Sequence, residues 1–432
     1  MIKASVITLG CRVNQYESDA IMQELTRYGV QICQDNEICD IYIINTCSVT
    51  AQSDKKSRQL IRRYISKNKD AVIIVTGCYA QINPKEALAI SGVDFVCGNN
   101  AKSVIAKKAL ELYEKRSEPS MLVPDINSGM FDTMLVGAPL TRTRAFIKIQ
   151  DGCESKCAYC IIPFARGKVR SNSPENVISE VKNIVSQGCS EVVLTGIETA
   201  AYGKDFKNGY TLSSLLKEIN GIEGLKRIRL GSLDPVSITK DFVDTVCSLD
   251  KVMPHFHISM QSGCTKVLNL MKRKYNIDIA RENIHYLKSK IPNVMLSADV
   301  IVGFPCETDE DFEQTLNFFK EEEFLHLHIF PYSKRSGTVA AEMKGQVPEE
   351  IKKQRLHILE SEQGKIKQAI LERFAKENES AEVLFETYDG EYMLGHTNNF
   401  IEVKAKSDCS LSGRFVSVKL KSSDNEFVYG EI

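Results

Sequence analysis

The sequence predicts an α/β chain in three parts: an N-terminal parallel-sheet domain, a partial (β/α)6 barrel and a small C-terminal all-β barrel. Three observations carry this. Short β-branched runs alternate with helical stretches over residues 4–115 and again over 146–330. After a long polar helix that starts at Pro348, the alternation gives way to short period-two segments. At 432 residues, 43% hydrophobic and 26% charged, the chain has material for about three domains and is neither disordered nor fibrous.

In the first part, strands at 4–8, 41–44 and 72–75 feed helices at 14–28, 53–67 and 84–90, and a short strand at 93–96 precedes a charged helix at 101–115. The next segment, 116–143, with Pro124, Gly129, Gly137 and Pro139, reads as a linker. Strands follow at 146–149, 191–194, 227–230, 256–259, 294–302 and 327–330, separated by helical stretches from 174 to 322. Six strand-and-crossover units outrun half of a doubly wound sheet and suggest a barrel or partial barrel. The closing strands, at 383–386, 392–395, 400–404, 415–421 and 426–429, with turns at Asp389-Gly390 and Gly413, describe a small barrel or sandwich. Barrels of that size often read nucleic acid, although a structural cap fits the pattern equally well. The expected domain limits are 1–115, a linker at 116–138, 139–368 and 369–432.

No apolar run approaches the roughly 20 residues that span a bilayer, and the N-terminus lacks the build of a signal peptide, so a cytoplasmic protein without membrane contact is expected. Lys and Arg total 55 against 56 Asp and Glu, a net charge of -1 that argues neither for nor against nucleic acid. Fourteen cysteines are too few for a disulfide scaffold of this length. Where they cluster, metal binding or catalysis leads.

The sharpest cluster is Cys153-Glu-Ser-Lys-Cys157-Ala-Tyr-Cys160, directly after a strand. Zinc usually takes four protein ligands, and no fourth Cys or His lies nearby, whereas an iron–sulfur cubane on three cysteines keeps one iron open. A second set is dispersed: Thr8-Leu9-Gly10-Cys11, Asn45-Thr46-Cys47 and Thr76-Gly77-Cys78 each place a cysteine just past a strand. In an open parallel sheet those strand ends share one edge, where ligands bind. Three thiolates could converge there, beside helix N-termini that favour negative charge. Three unrelated buried cysteines fit the pattern as well.

The three-cysteine loop resembles that of the radical S-adenosylmethionine superfamily. Together with TLGCRVNQYESDA, INTCSVT and TGCYAQ before it, RIRLGSLDP, HFHISMQSG, MKRKY and ADVIVGFPCETDEDF after it, and a closing VLFE…YMLGHTNNFIEVKAK, the whole chain is similar to the radical S-adenosylmethionine methylthiotransferase family. The opening TLGCxVNxxES resembles the branch acting on N6-threonylcarbamoyladenosine in tRNA. The resemblance implies a flavodoxin-like first domain, a TIM-type partial barrel as the radical core and an RNA-binding TRAM barrel.

It also implies two [4Fe-4S] clusters, an auxiliary one on Cys11, Cys47 and Cys78 and another on Cys153, Cys157 and Cys160, with S-adenosylmethionine on the open iron of the second. One S-adenosylmethionine would methylate sulfur on the auxiliary cluster. Cleavage of another would generate a 5′-deoxyadenosyl radical that takes hydrogen from C2 of the modified adenine. By the same resemblance Tyr159 packs beside the cofactor's adenine and Glu198 holds the methionyl amino group, although the usual glycine-glycine-glutamate motif is absent. Ser232, Gln261, Arg273 and Asp299, at or beside later strand ends, would face cofactor or substrate or support those that do. Gly303 and Pro305 would shape a loop through the backbone. The partners implied are the tRNA anticodon stem-loop and an electron donor such as flavodoxin or ferredoxin.

Local charge adds two candidates for RNA phosphate: Lys55, Lys56, Arg58, Arg62 and Arg63 on one helix, and Arg166, Lys168 and Arg170 after the radical loop. A solvated helix face explains such runs too. His255, His257, His326 and His328 alternate in two strands, as a metal site, strand packing or RNA contacts would. Cys33, Cys39, Cys97, Cys189, Cys247, Cys264, Cys306 and Cys409 share no spacing and read as packing or tolerated surface positions. The rival functions are methylthiolation of isopentenyladenosine in tRNA or of a ribosomal-protein aspartate, and a non-enzymatic iron–sulfur protein that binds RNA.

Overall fold

The computed structural model describes all residues except 35, 135 and 139–141, so Pro139 of the expected linker lies outside the described residues. Its first domain is a six-stranded sheet in the order Gln31–Ile32, Lys3–Thr8, Ile41–Thr46, Val72–Gly77, Phe95–Cys97 and Ser120–Leu122, with every pair parallel. That is the flavodoxin-like order with one strand added at the far edge. Ile41–Thr46 and Val72–Gly77 are buried at every position, as central parallel strands covered on both faces must be. Ile41, Ile43 and Ile74 pack on one face with Ile21, Leu25 and Ile105. Tyr42, Ile44, Ile73 and Val75 pack on the other with Ile61, Tyr64 and Tyr79. The two edge strands are additions to the sequence reading: two and three residues long, they are too short to show a period, and Ser120–Leu122 falls in the segment read as linker.

Six further parallel strands stand in chain order along an arc. Ala145–Lys148, Glu191–Thr195 and Arg227–Leu230 form one half, and His255–Gln261, Met295–Val302 and His326–Pro331 the other. Leu233 joins the halves through a parallel bridge to Ile258, its N–H donating to His257 O at 2.9 Å. Ile147, Leu194, Ile228, Ile258, Ala298, Val300 and Leu327 pack outward against the helices. Alternate positions, among them Lys148, Arg229, His257, Asp299 and His328, therefore face inward, and an interior lined by polar groups is a site rather than a packed core. The helices Pro174–Ser186, Leu212–Asn220, Lys240–Cys247, Ile277–Lys290 and Asp309–Glu321 each start on a Ser, Thr or Asn whose side chain caps a free N–H.

The last domain is a closed barrel of Ser380–Tyr388, Tyr392–His396, Glu402–Lys406, Val428–Glu431 and Phe415–Ser423, the last pairing back to the first. Helix Glu349–Glu377 serves two domains. Its first half binds the middle domain through Lys352, Arg355 and Gln363. Its second half places Ile370, Leu371 and Phe374 in the closed barrel's core with Val383, Phe385 and Val418. The expected limit at 368/369 thus falls inside one continuous helix. The barrel docks where Arg227 and Arg229 donate to His396 O at 3.1 Å and Thr397 O at 2.8 Å, and where Phe400 stacks between His255 and His396.

Candidate functional site

Cys11 caps helix Arg12–Arg27, Cys47 follows strand Ile41–Thr46, and Cys78 opens helix Cys78–Ile82. The strands before them are neighbours in the sheet, so the three cysteines meet at one edge. Gly10 has φ +101°, and a Cβ there would sit 2.9 Å from Cys47 Sγ. At Gly77, φ +95°, a Cβ would run into the Thr46 carbonyl. Glycine is required at both positions. Asn14 Nδ2 donates to Leu9 O at 2.7 Å and Thr46 O at 3.0 Å, and Asn45 Nδ2 donates to Asn14 O at 2.9 Å. These bonds hold the cysteine turns in register.

Burial pushes the Cys47 thiol up to about 11, and its neighbours Cys78 and Cys11 push the same way. Cys11 keeps solvent exposure, yet the surrounding protein raises its thiol too, helped by Cys78 and opposed by Arg166. Three cysteine thiols gathered at one edge can bind a cation together as thiolates, which is the donor set of an iron–sulfur core.

Beneath this edge lies a buried ion group. Glu17 meets Lys102, Lys148 at 2.8 Å and Arg166 at 2.6 Å, and Asp151 meets Lys148 at 2.6 Å and Arg166 at 3.2 Å. These five side chains are at most 4% exposed, and three cations stand against two carboxylates. The surplus positive charge beside the thiols suits an anionic thiolate centre. The expectation that Arg166 and Arg170 face RNA is therefore corrected: both are buried, Arg166 among these ions and Arg170 on the carbonyls of Ile126 and Arg166. A charge run in sequence does not say which side it faces.

The second centre is the loop after Gln150–Asp151. Cys153 N donates to Gly167 O at 2.9 Å and Cys160 N to Cys157 O at 3.1 Å, curling the three cysteines together. Burial and Glu198 push Cys153 up to about 11, while burial with Cys157 and Cys153 pushes Cys160 up to about 12. The same donor chemistry applies. Glu198 Oε2 accepts from Cys153 Sγ at 3.4 Å, and Arg273 Nη1 donates to Cys157 Sγ at 3.4 Å. Arg273 is held by Asp234 at 2.7 Å, a residue the sequence reading missed.

A cavity of about 490 Å³ opens beside this loop, lined by Ser155, Cys157, Glu198, Lys204, Asp234 and Arg273 among others. Tyr159 meets Phe304 edge-on with centroids 6.4 Å apart. Ser232 and Gln261 are half-buried at strand ends, Gln261 with φ +65°. Asp299 sits elsewhere, in mid-strand, bound to His257 at 3.1 Å inside the barrel. Gly303, at φ +69°, lies where a Cβ would strike Lys352, and its N–H donates to Glu307 at 3.0 Å.

The two centres adjoin. Helix Ile162–Arg166, which follows Cys160, packs on helix Cys78–Ile82. Asn99 Nδ2 bridges them, donating to Ala165 O at 2.8 Å and to Cys78 Sγ at 3.7 Å. Among the described residues no group of His, Cys, Asp or Glu surrounds a point at single-ion spacing. Cubane thiolates each bind a different iron and stand farther apart. The four strand histidines form one row: Ser297 Oγ lies 3.1 Å from His255 Nε2 and 2.9 Å from His257 Nδ1, the His257 ring, which also binds Asp299, is 5.4 Å from that of His328, and His328 meets His326 edge-on at 4.5 Å. Lys55, Lys56, Arg62, Arg63 and Lys168 are exposed, while Arg58 is half-buried against Glu86 at 3.3 Å. All fourteen cysteines are free, and no described helix is long and apolar enough to cross a membrane.

Residues 3–98 match the family described as Uncharacterized protein family UPF0004, and residues 147–319 match the Radical SAM superfamily. The chain is 41% identical over 431 residues to the threonylcarbamoyladenosine tRNA methylthiotransferase MtaB of Bacillus subtilis, covering 98% of this chain and 95% of that protein. It is 38% identical to the protein of the same name from Aquifex aeolicus, covering 93% and 96%. It is 35% identical to the tRNA-2-methylthio-N(6)-dimethylallyladenosine synthase of Moorella thermoacetica, covering 100% and 99%. In fold it resembles the radical S-adenosylmethionine methyltransferase TsrM of Kitasatospora setae, with TM-score 0.59 at 13% identity over 78% of this chain and 76% of that one. With two cysteine centres side by side and relatives aligned along nearly its whole length, the chain belongs to the radical S-adenosylmethionine methylthiotransferase family.

Proposed function

We propose that this chain converts N6-threonylcarbamoyladenosine beside the tRNA anticodon to its 2-methylthio derivative. One [4Fe-4S] cluster would sit on Cys11, Cys47 and Cys78 and the other on Cys153, Cys157 and Cys160, with S-adenosylmethionine at the second. The observation that carries this is the Asn99 bridge, which ties Cys78 of the first set to the helix that follows Cys160. When bound, the core cluster and its cofactor supply a carbon radical able to break an aromatic C–H bond, and the auxiliary centre supplies sulfur. The names of the first relatives favour the threonylcarbamoyl base over the dimethylallyl one.

The chain's own residues have separate tasks in this reading. Glu198 and the Asp234–Arg273 pair offer acceptor and donor groups to the zwitterionic end of the cofactor, and Tyr159 flanks its adenine. Lys55, Lys56, Arg62, Arg63 and Lys168 offer positive charge to the anticodon stem-loop, with the closed barrel as a further RNA surface. A flavodoxin or ferredoxin supplies single electrons. Residues 1–115, 139–368 and 369–432 act as the three working units, the long helix spanning the last two.

Nucleoside mass spectrometry of tRNA from a strain lacking the gene tests the substrate. The 2-methylthio form of threonylcarbamoyladenosine should vanish while its precursor accumulates. Loss of the 2-methylthio isopentenyl nucleoside instead would assign the sister activity.

A further inference from the structure

Arg12 directly follows the first cysteine of the auxiliary set and is exposed, while Val13 and Asn14 beside it are buried. Its guanidinium lies 6.0 Å from the ring centroid of Phe146, on the first barrel strand. It also lies within electrostatic range of Arg144, Arg229 and Asp299, whose side chains come from three other parts of the barrel. Arg12 therefore reaches from the cysteine edge into the barrel's polar interior.

Its charged neighbours are already engaged. Arg229 is held by Glu191 at 2.7 Å, Arg144 by Glu386 at 3.4 Å, and Asp299 by His257 at 3.1 Å. Among the described residues Arg12 has no carboxylate within ion-pair distance and no hydrogen-bond acceptor. An anion placed here would therefore meet a guanidinium whose donors are uncommitted, beside two arginines that already have their own carboxylates.

The proposed substrate carries such an anion. In a threonylcarbamoyl group the amino acid is joined through its nitrogen, which leaves the threonine carboxylate free. In adenine, C2 and C6 flank N1, so the carbon that receives sulfur and the carbon that bears the substituent lie on one edge of the ring. A base that presents C2 to the Cys11 set also presents its N6 substituent to the residue beside Cys11.

We infer that Arg12 binds the threonine carboxylate of the substrate base and thereby selects it over bases with an apolar N6 substituent. This rests on the substrate reading above. A guanidinium suits the task, because it grips a carboxylate through two parallel hydrogen bonds.

The test uses the full chain, reconstituted anaerobically, with two anticodon stem-loop RNAs: one carrying the threonylcarbamoyl base, the other the same base with its carboxylate converted to a neutral carboxamide. Wild type should favour the acid by about 30-fold or more in kcat/KM, the scale expected when one partner of a desolvated charge pair is lost. R12Q should bring the acid down to the level of the amide, mostly through KM, with wild-type iron content and an unchanged electron paramagnetic resonance signal of the reduced auxiliary centre. R12K should restore part of the preference. An R12Q protein that keeps both its centre and the acid-to-amide ratio overturns the inference alone. If R12Q loses its centre, wild type decides: equal turnover of acid and amide overturns the inference. Wild type that ignores both RNAs but modifies a dimethylallyl RNA overturns the substrate reading and this inference together.

Discussion

Arg166 donates to Glu17 across 2.6 Å with neither side chain exposed, and this pair clamps the radical core to the N-terminal sheet. Arg166 ends the helix that follows Cys160, and Glu17 lies in the helix that Cys11 caps. The two residues are 149 positions apart in sequence. The contact therefore fixes the distance between the loops that would carry the two clusters. Removing three cations and two carboxylates from water is costly, and the arrangement persists because each charge has an opposite partner.

Glu17→Gln should break that balance, leaving Lys102 without a carboxylate and Lys148 and Arg166 on Asp151, which Arg170 also faces at 3.9 Å. The expected loss is about 3–5 kcal/mol, read as a lower urea midpoint of the N-terminal domain. Burial pushes the Glu17 carboxyl up, but Arg166, Lys102 and Lys148 outweigh it and hold it well below its ordinary 4.5. A depressed carboxyl stabilises above its unfolded value and loses that contribution as pH falls through its folded one. Wild type should thus lose its advantage over the variant in acid, below about 4.5. Equal midpoints at neutral pH would remove Glu17 from the clamp.

Glu180 has the opposite dependence. Burial raises its carboxyl to about 8, and its Oε1 has no hydrogen-bond partner among the described residues. The native state therefore keeps a proton that the unfolded chain has released, and stability falls as pH rises from 4.5 toward 8. The slope is at most about 1.4 kcal/mol per pH unit from this group. Glu180→Gln should flatten that part of the denaturation profile. An identical slope in both proteins would show that Glu180 ionises freely.

Triple replacement of Cys153, Cys157 and Cys160 by Ala should leave about one cluster per reconstituted chain and abolish 5′-deoxyadenosine formation. Iron analysis and a cleavage assay read the two effects separately. Unchanged iron content would sink the assignment of this loop.

Replacing Cys11, Cys47 and Cys78 together should remove the other cluster, while uncoupled cofactor cleavage continues and no methylthio product forms. Arg166 and Lys102 would then lie beside an apolar edge with their surplus charge unanswered, so some loss of stability is expected as well. Methylthiolated RNA from this variant would mean that the sulfur is not held here.

How much of this was visible in the sequence depends on how local each feature is. The Cys153–Cys160 loop is legible because its three thiols lie within one turn of chain. Cys11, Cys47 and Cys78 are legible only through the recurrence of a cysteine after each strand, which the parallel sheet converts into one edge. Asn99, Asp234 and Glu17 carry no such signal, because their roles arise from partners far along the chain. The charge run at Arg166–Arg170 misleads for a physical reason: an arginine is charged in any setting, and only the acids opposite it decide between solvent and interior. Edge strands such as Gln31–Ile32 escape because two residues cannot show an alternation.

The exposed helix face is the last feature to test. Lys55, Lys56, Arg62 and Arg63 on Ala51–Lys67 are exposed and have no acidic partner among the described residues, whereas Arg58 is taken by Glu86. The helix is pinned to the middle domain at its start, where Arg335 meets Asp54 at 2.7 Å and Ala51 N donates to Ser333 Oγ at 3.1 Å. These charges are thus carried on a rigid support close to Cys47, whose carbonyl accepts from Ser57 of the same helix at 3.1 Å. If tRNA phosphates lie along this face, replacing the four by Gln should weaken binding and flatten its salt dependence. Each phosphate left without its cation lowers the slope of log affinity against log salt by about 0.7–0.9, so four phosphates amount to roughly three units. Stability should move by no more than about 0.5 kcal/mol, since the side chains project into water. Both cluster contents should stay at the wild-type level, because none of the four touches a cysteine. A quadruple variant with wild-type affinity and an unchanged slope would free this helix of any RNA role, and the closed barrel with Lys168 would have to neutralise the phosphates instead.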